Sequence, residues 1–236
     1  MTKIAAYLTM ALSVVAFISF ASLLRENTED VQAKANRVYT AIQERLASQL
    51  EDAELILRQL REDIDSAALR NVPSDQILDQ YLQKHADVYD IFLKLTPDGK
   101  LLSSPTQTNT SIDLSHRDYY KRAVAKNDFA IGEFLVGKVS KLPVLAVALP
   151  VKSSNQEISY VLVTGIKTDW LKEVLEQVGK MDETLLIQIR DSSGMLLDNF
   201  EGNSISRLGQ GRTVELVRLP LHRTSPDIKI VIYQQT

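Results

Sequence analysis

Apolar residues recur at Val31, Ala35, Val38, Ile42, Leu46, Leu50, Ala53, Leu57, Leu60, Ile64 and Ala67. Every step is three or four, which draws a single stripe along an α-helix. Nothing breaks the pattern before Pro73, where a helix has to end. At 1.5 Å per residue the pattern predicts a helix of roughly 60 Å. Such a helix can serve as a stalk, a dimer seam or the spine of a domain, and its stripe can equally well cover a sheet. Ahead of it, Ile4–Leu24 contains no charged residue. About twenty apolar residues span a bilayer core as a helix, so this run is read as a membrane anchor. Lys3 precedes it, and the acidic Glu26, Glu29 and Asp30 follow Arg25. That bias places the N-terminus in the cytoplasm and exports the remainder. A cleaved signal peptide, with Ser19-Phe20-Ala21 as a small-x-small site, is the competing reading.

Beyond Pro73 the pattern changes. Ser74 is a candidate N-cap for a short helix through Ile77, Leu78, Tyr81 and Leu82. Val88–Leu95 has strand composition and runs into Thr96-Pro97-Asp98-Gly99, a turn with proline and glycine where turns use them. Lys100–Ser104 leaves as the second strand of a hairpin. Leu185–Asn199 repeats that order of strand, turn, glycine and paired leucines, which suggests one small unit used twice. Between them lie strand candidates at Phe129–Lys138, Leu142–Lys152 and Glu157–Thr168. The middle one is almost wholly apolar and so reads as a strand buried on both faces. Asp169 can cap a helix to about Lys180, and the segments RTVELVRLPL and DIKIVIYQQ supply two late strands. The order predicts an α+β fold of antiparallel sheets with helices packed on them.

Composition excludes more than it proposes. The 236 residues carry a formal net charge of −3, which gives no basic footprint for nucleic acid. There is no cysteine, so disulfides, thiolate metal sites and cysteine nucleophiles are ruled out. His85, His116 and His222 are scattered without metal-ligand spacing. No phosphate loop or nucleophile elbow is present. The carboxylate pairs Glu51-Asp52 and Glu62-Asp63 fall on the long helix, where charges form a solvated face. No catalytic residue, metal site or cofactor is predicted.

One stretch stands apart: SHRDYYKRAV, Ser115–Val124. Asp113 or Ser115 can cap a helix whose first turn is His116-Arg117-Asp118-Tyr119. Helix N-termini attract anions. Arg117 adds a two-pronged donor for a carboxylate, and Tyr119 and Tyr120 offer amphipathic walls. Lys138 and Lys141 can complete a basic rim. Two readings stand: a cleft for a small organic anion, or a surface helix whose tyrosines fill the core while Arg117 pairs with an acid.

Asp113–Tyr120, Ala130–Glu133, Val136–Ser140, Leu142–Leu145 and Leu149–Val151, in that order, resemble a Cache sensor domain. Arg117-Asp118-Tyr119-Tyr120 resembles the family's "RxYF" signature, with Tyr120 in place of phenylalanine. Thr168–Leu171 resembles the lead into an inter-module helix, and Asp191–Leu197 the opening hairpin of a second module. The resemblance spans about residues 26–236 and implies a double Cache domain. It implies an anchor at 1–25 and a stalk or spine helix at 26–72. A membrane-distal, PAS-like ligand-binding module follows at 73–168, an inter-module helix at 169–182 and a smaller proximal module at 183–236. It also implies an extracytoplasmic sensor of a bacterial inner-membrane receptor, homodimeric, with kinase or cyclic-dinucleotide output elsewhere. The implied ligand residues are Arg117, Tyr119, Tyr120, Lys138 and Lys141. Amine-binding members carry an aspartate where this chain has Gly165, and a tryptophan where it has Tyr119. An organic acid is therefore expected over a free amino acid. The alternative is a membrane-anchored dimerisation module with a vestigial pocket.

Overall fold

The computed structural model describes the backbone of residues 2–105, 112–138, 141–169, 185–190, 213–222 and 225–235, with side chains chiefly between 30 and 169. Helix α1 runs Thr2–Leu69 and α2 Ser74–His85. Strands β1 (Tyr89–Leu95) and β2 (Leu101–Ser103) form the predicted hairpin. Helix α3 (Asp118–Lys126) precedes β3 (Ala130–Val136), β4 (Pro143–Lys152) and β5 (Ile158–Lys167). Strands β6 (Leu185–Arg190), β7 (Thr213–His222) and β8 (Ser225–Gln235) follow. This is the predicted mixture of helices and antiparallel sheet behind a long N-terminal helix. The second half of the repeated hairpin and the helix expected after Asp169 lie outside the described residues.

Among the described residues two antiparallel sheets form. One has the order β2-β1-β5-β4-β3, the other β6-β8-β7. All eleven residues of the predicted stripe on α1, from Val31 to Ala67, are buried. They join one core with Ile77 and Leu78 of α2 and with Phe92, Leu145, Val147, Leu162 and Ile166 of the larger sheet. The stripe therefore covers sheet, as its period allowed. Among the described residues no helix is long and apolar enough to cross a membrane; the side chains of Ile4–Leu24 lie outside them.

The opposite face of the larger sheet carries a second core, in which Leu93, Leu95, Ala146, Ala148, Val161 and Val163 meet Leu114, Tyr119, Tyr120 and Ala123. On β4 the two cores alternate without a break, Leu145, Val147 and Leu149 on one face and Val144, Ala146 and Ala148 on the other, as a pleated strand requires. Strands β1 and β3 do not. In β1 the register slips between Tyr89 and Phe92, which pair with Ile166 and Thr164, so Asp90 and Ile91 together oppose Gly165. In β3 it slips between Ile131 and Phe134, which pair with Val147 and Leu145, so Gly132 and Glu133 together oppose Ala146. Ala146 pairs with Gly165. Two bulges and three small residues thus share one row across the sheet.

Two capping expectations are corrected. Ser74 is the first helical residue of α2 and makes no cap bond; its hydroxyl instead accepts from Lys94 Nζ at 3.0 Å. Helix α3 starts at Asp118, with Arg117 at the cap position and no side-chain cap. Asp113 Oδ1 accepts from the Ser115 N–H at 2.8 Å, closing a turn two residues before Arg117 instead of capping the helix.

Candidate ligand-binding site

The row of small residues leaves room above the sheet. Glycine and alanine withhold side chains at positions 165 and 146, and bulges on both flanks bend the strands away. The result is a cavity of about 30 Å³, lined by β1, β4 and β5 from below and by Leu114, Arg117, Tyr119 and Lys138 from above. That volume admits about two water molecules.

Backbone bonds hold the segment before α3. Gly99 has φ +87°, and its carbonyl accepts from Leu114 N–H at 2.9 Å. A Cβ at Gly99 would fall 2.6 Å from Ser115 Cα, so only glycine lets the turn approach so closely. Leu101 N–H donates to Ile112 O at 2.9 Å, which continues the sheet edge up to the helix. Arg117 N–H donates to Leu114 O at 3.0 Å. Arg117 is therefore presented by fixed backbone. Its side chain lines the cavity, and its Nε is buried without a hydrogen-bond partner. A buried donor left so is costly unless something arrives to accept from it.

The five predicted residues divide. Arg117, Tyr119 and Lys138 line the cavity; Tyr120 and Lys141 are not among its lining residues. Tyr119 is buried, and its Cβ lies 2.5 Å from where a Cβ on Gly132 would stand, so the helix sits directly on that glycine. Tyr120 is also buried and donates its hydroxyl to Pro97 O at 2.5 Å, which braces α3 against the hairpin turn. Burial pushes its hydroxyl pKa up, and the charges of Asp98 and Asp113 add to this. Lys138 Nζ donates to Asp113 O at 3.1 Å. Lys141 is exposed, with φ +64°.

Sequence reasoning missed Asp90. Strict alternation along Tyr89–Leu95 would set it beside Phe92 and Lys94, on the α1 face. The bulge turns it to the cavity, where it lies with Ile91, Thr164 and Gly165. Aspartate is depleted in strands, and its presence inside this one was the available signal.

The family model of the Cache domain (dCache_1) matches residues 21–229. The chain belongs to the Cache domain family. Solved structures agree with this Cache domain in fold. The ligand-binding domain of Mlp24 with asparagine matches with a TM-score of 0.65 at 13% identity, covering 89% of this chain and 95% of that one. That of the Pseudomonas fluorescens chemoreceptor CtaA with L-isoleucine matches at 0.62 and 13%, covering 88% and 93%. That of the Pseudomonas aeruginosa PAO1 amino acid chemoreceptor PctC with GABA matches at 0.61 and 17%, covering 87% and 100%. No curated protein matches the sequence.

Proposed function

We propose that this Cache domain is the extracytoplasmic small-molecule sensor of a transmembrane receptor, and that Arg117 takes an anionic group of its ligand in the cavity beneath α3. The observation that carries the proposal is the buried, unpartnered Nε of Arg117 on the wall of an otherwise largely apolar cavity. A guanidinium there offers a carboxylate paired donors in surroundings that strengthen them. The apolar run Ile4–Leu24 supports an anchor in the inner membrane of a bacterium. The two separate sheets support a distal module at 73–168 and a proximal one at 183–236.

The cavity opens to solvent between α3 and the sheet, so a ligand entering it bears on both layers. Binding is thereby coupled to movement of α3 against the sheet, and the ligand shifts the receptor only by its difference in affinity for the closed and open forms. The test is thermal unfolding of the full chain in mild detergent across a panel of organic acids. At least one raises the melting temperature by mass action on the folded state, and Arg117→Ala abolishes that rise while leaving the unliganded melting temperature nearly unchanged. A rise indifferent to Arg117→Ala refutes the role given to this residue.

The smallness of the cavity also favours a second reading, a membrane-anchored dimerisation module with a vestigial pocket. It predicts concentration-dependent association of the chain and no thermal response to any metabolite.

A further inference from the structure

Helix α3 packs on one face of the larger sheet and α1 on the other, and the chain brings them into contact at the sheet edge. We infer that the corner Asn127-Asp128-Phe129, between α3 and β3, is a mechanical link that carries a displacement of α3 to the long helix α1. The link would give the site proposed above an output path, and its test needs no ligand, so the two readings fail separately.

Helix α3 stops sharply. Asn127 is its C-cap in the left-handed conformation, φ 55° and ψ 35°, and its N–H donates to Val124 O at 3.3 Å. Such a cap turns the chain out of the helix within one residue. Two residues on, Phe129 packs against the core that α1 shares with the sheet, while Ala123 of α3 and Ala130 of β3 belong to the core on the other face. The corner thus rounds the edge of the sheet. Asp128 stands at the turn, and its Oδ1 accepts from Phe129 N–H at 2.8 Å and from Arg58 Nη2 of α1 at 3.1 Å. Arg58 is held in turn by Glu54, whose Oε1 accepts from Nε at 2.9 Å and from Nη2 at 2.6 Å. The carboxylate is tied to the corner and the guanidinium to α1, so the bond between them joins two elements. Arg122 of α3 adds a brace, donating from Nη1 to Ile131 O on the edge strand β3 at 3.4 Å. Helix, corner and edge strand form one connected piece, and Arg58 meets it from α1.

The pair is exposed, 44% for the Arg58 side chain and 66% for Asp128, and exposed ion pairs contribute little to stability. Holding the domain together is the work of the buried stripe on α1. What the pair fixes is position. Packed elements shift as rigid pieces, and coupling between them passes through the contacts that join them. The competing route runs through the sheet, whose strands lie between the two helices. Removing Arg58 separates the routes, because it cuts the contact at the edge and leaves the sheet and the corner as they are.

The chain has no cysteine, so a single cysteine can be introduced and labelled with a trifluoromethyl group for fluorine NMR of the full chain in mild detergent. One reporter replaces Lys121 on α3 and the other Leu55 on α1, both exposed. Two changes displace α3 without touching the corner. Gly132→Ala brings a methyl group 2.5 Å from Tyr119 Cβ, and the milder Tyr120→Phe, which serves if the alanine variant does not fold, removes the bond to Pro97 O. With Arg58 in place, both reporters are expected to shift. Arg58→Gln should leave the Lys121 shift in place and abolish the Leu55 shift. Asp128→Ala should do the same, and Arg58→Lys, which keeps the charge, should retain part of the Leu55 shift. A Leu55 reporter that shifts as much without Arg58 as with it would route the movement through the sheet and overturn the link. So would a Leu55 reporter that stays still while Lys121 shifts. A Lys121 reporter unmoved by either change would overturn it too, since α3 would then not be a piece that moves. The thermal shifts described for Arg117→Ala decide the binding site independently of these outcomes.

Discussion

The larger sheet presents two faces built from the same strands, and they are filled in opposite ways. Against α1 and α2 it meets large aliphatic and aromatic side chains with almost no exposure, Leu57, Leu60, Ile64, Phe92, Leu145 and Leu162 among them. Polar groups on this face tie the helices down, with Tyr81 donating to Asp63 at 2.5 Å and Tyr160 to Asp65 at 2.8 Å. Against α3 the central row shrinks to Gly132, Ala146 and Gly165, and charged side chains enter. The first face holds the domain together. The second gives up packing for a cavity, which close-packed interiors otherwise avoid. A fold can give up packing only where another surface supplies the stability, and α1 supplies it here.

The largest effect that tests this contrast is on the helix face. Leu60 is fully buried, so Leu60→Ala should cost about 2–5 kcal/mol, measured by chemical denaturation. Leu93→Ala, which borders the cavity, should cost less, because Leu93 already lacks neighbours on one side. Equal losses would break the comparison.

An intermediate effect is expected from filling the row. A methyl group at Gly132 would stand 2.5 Å from Tyr119 Cβ and 3.1 Å from Ala146 O. Because Tyr119 Cβ is bonded directly to the backbone of α3, the helix itself has to move. Gly132→Ala should therefore destabilise the chain by about 1–3 kcal/mol and weaken ligand response by displacing Arg117. Unchanged ligand binding in a folded variant would show that the cavity does not depend on where α3 sits.

The smallest effect sharpens the account of the clamps. Tyr160→Phe removes the hydroxyl bound to Asp65 and should cost about 1 kcal/mol at neutral pH. The same hydroxyl has its pKa raised, first by burial and then by Asp65. Tyr89 is pushed up to about 12, again first by burial and then by the charges of Asp52 and Asp87. The unfolded chain loses these protons near the ordinary value of 10.0, before the folded one does. Their contribution is therefore complete below pH 10 and declines as pH rises from there through about 12. Tyr160→Phe should flatten that decline in a pH series of unfolding curves; an unchanged slope would remove Tyr160 from the explanation.

Helix α1 was legible because its face is chosen by period alone. Eleven positions were named from spacing, and all eleven are buried. The strands of the larger sheet were legible from their apolar runs and turns. The site was legible only in part. Arg117 and Tyr119 stood out because their types are unusual together, and Lys138 followed from the neighbouring loop. Tyr120 has the same chemistry as Tyr119, yet its hydroxyl is engaged by Pro97 O. Adjacent positions on a helix point about 100° apart, so two neighbouring tyrosines cannot share one wall.

What the sequence determined by itself is the periodic part of this Cache domain: the buried stripe of α1, the strands and turns, and an unusual cluster at the start of α3. These depend on residues near one another in the chain. Only the tertiary structure decided that Gly132, Ala146 and Gly165 lie in one row, and that Asp90 and Arg117 line the same cavity. Those facts depend on register between strands distant in sequence. A single bulged residue reverses the face of a neighbour without altering the local pattern that sequence reading relies on.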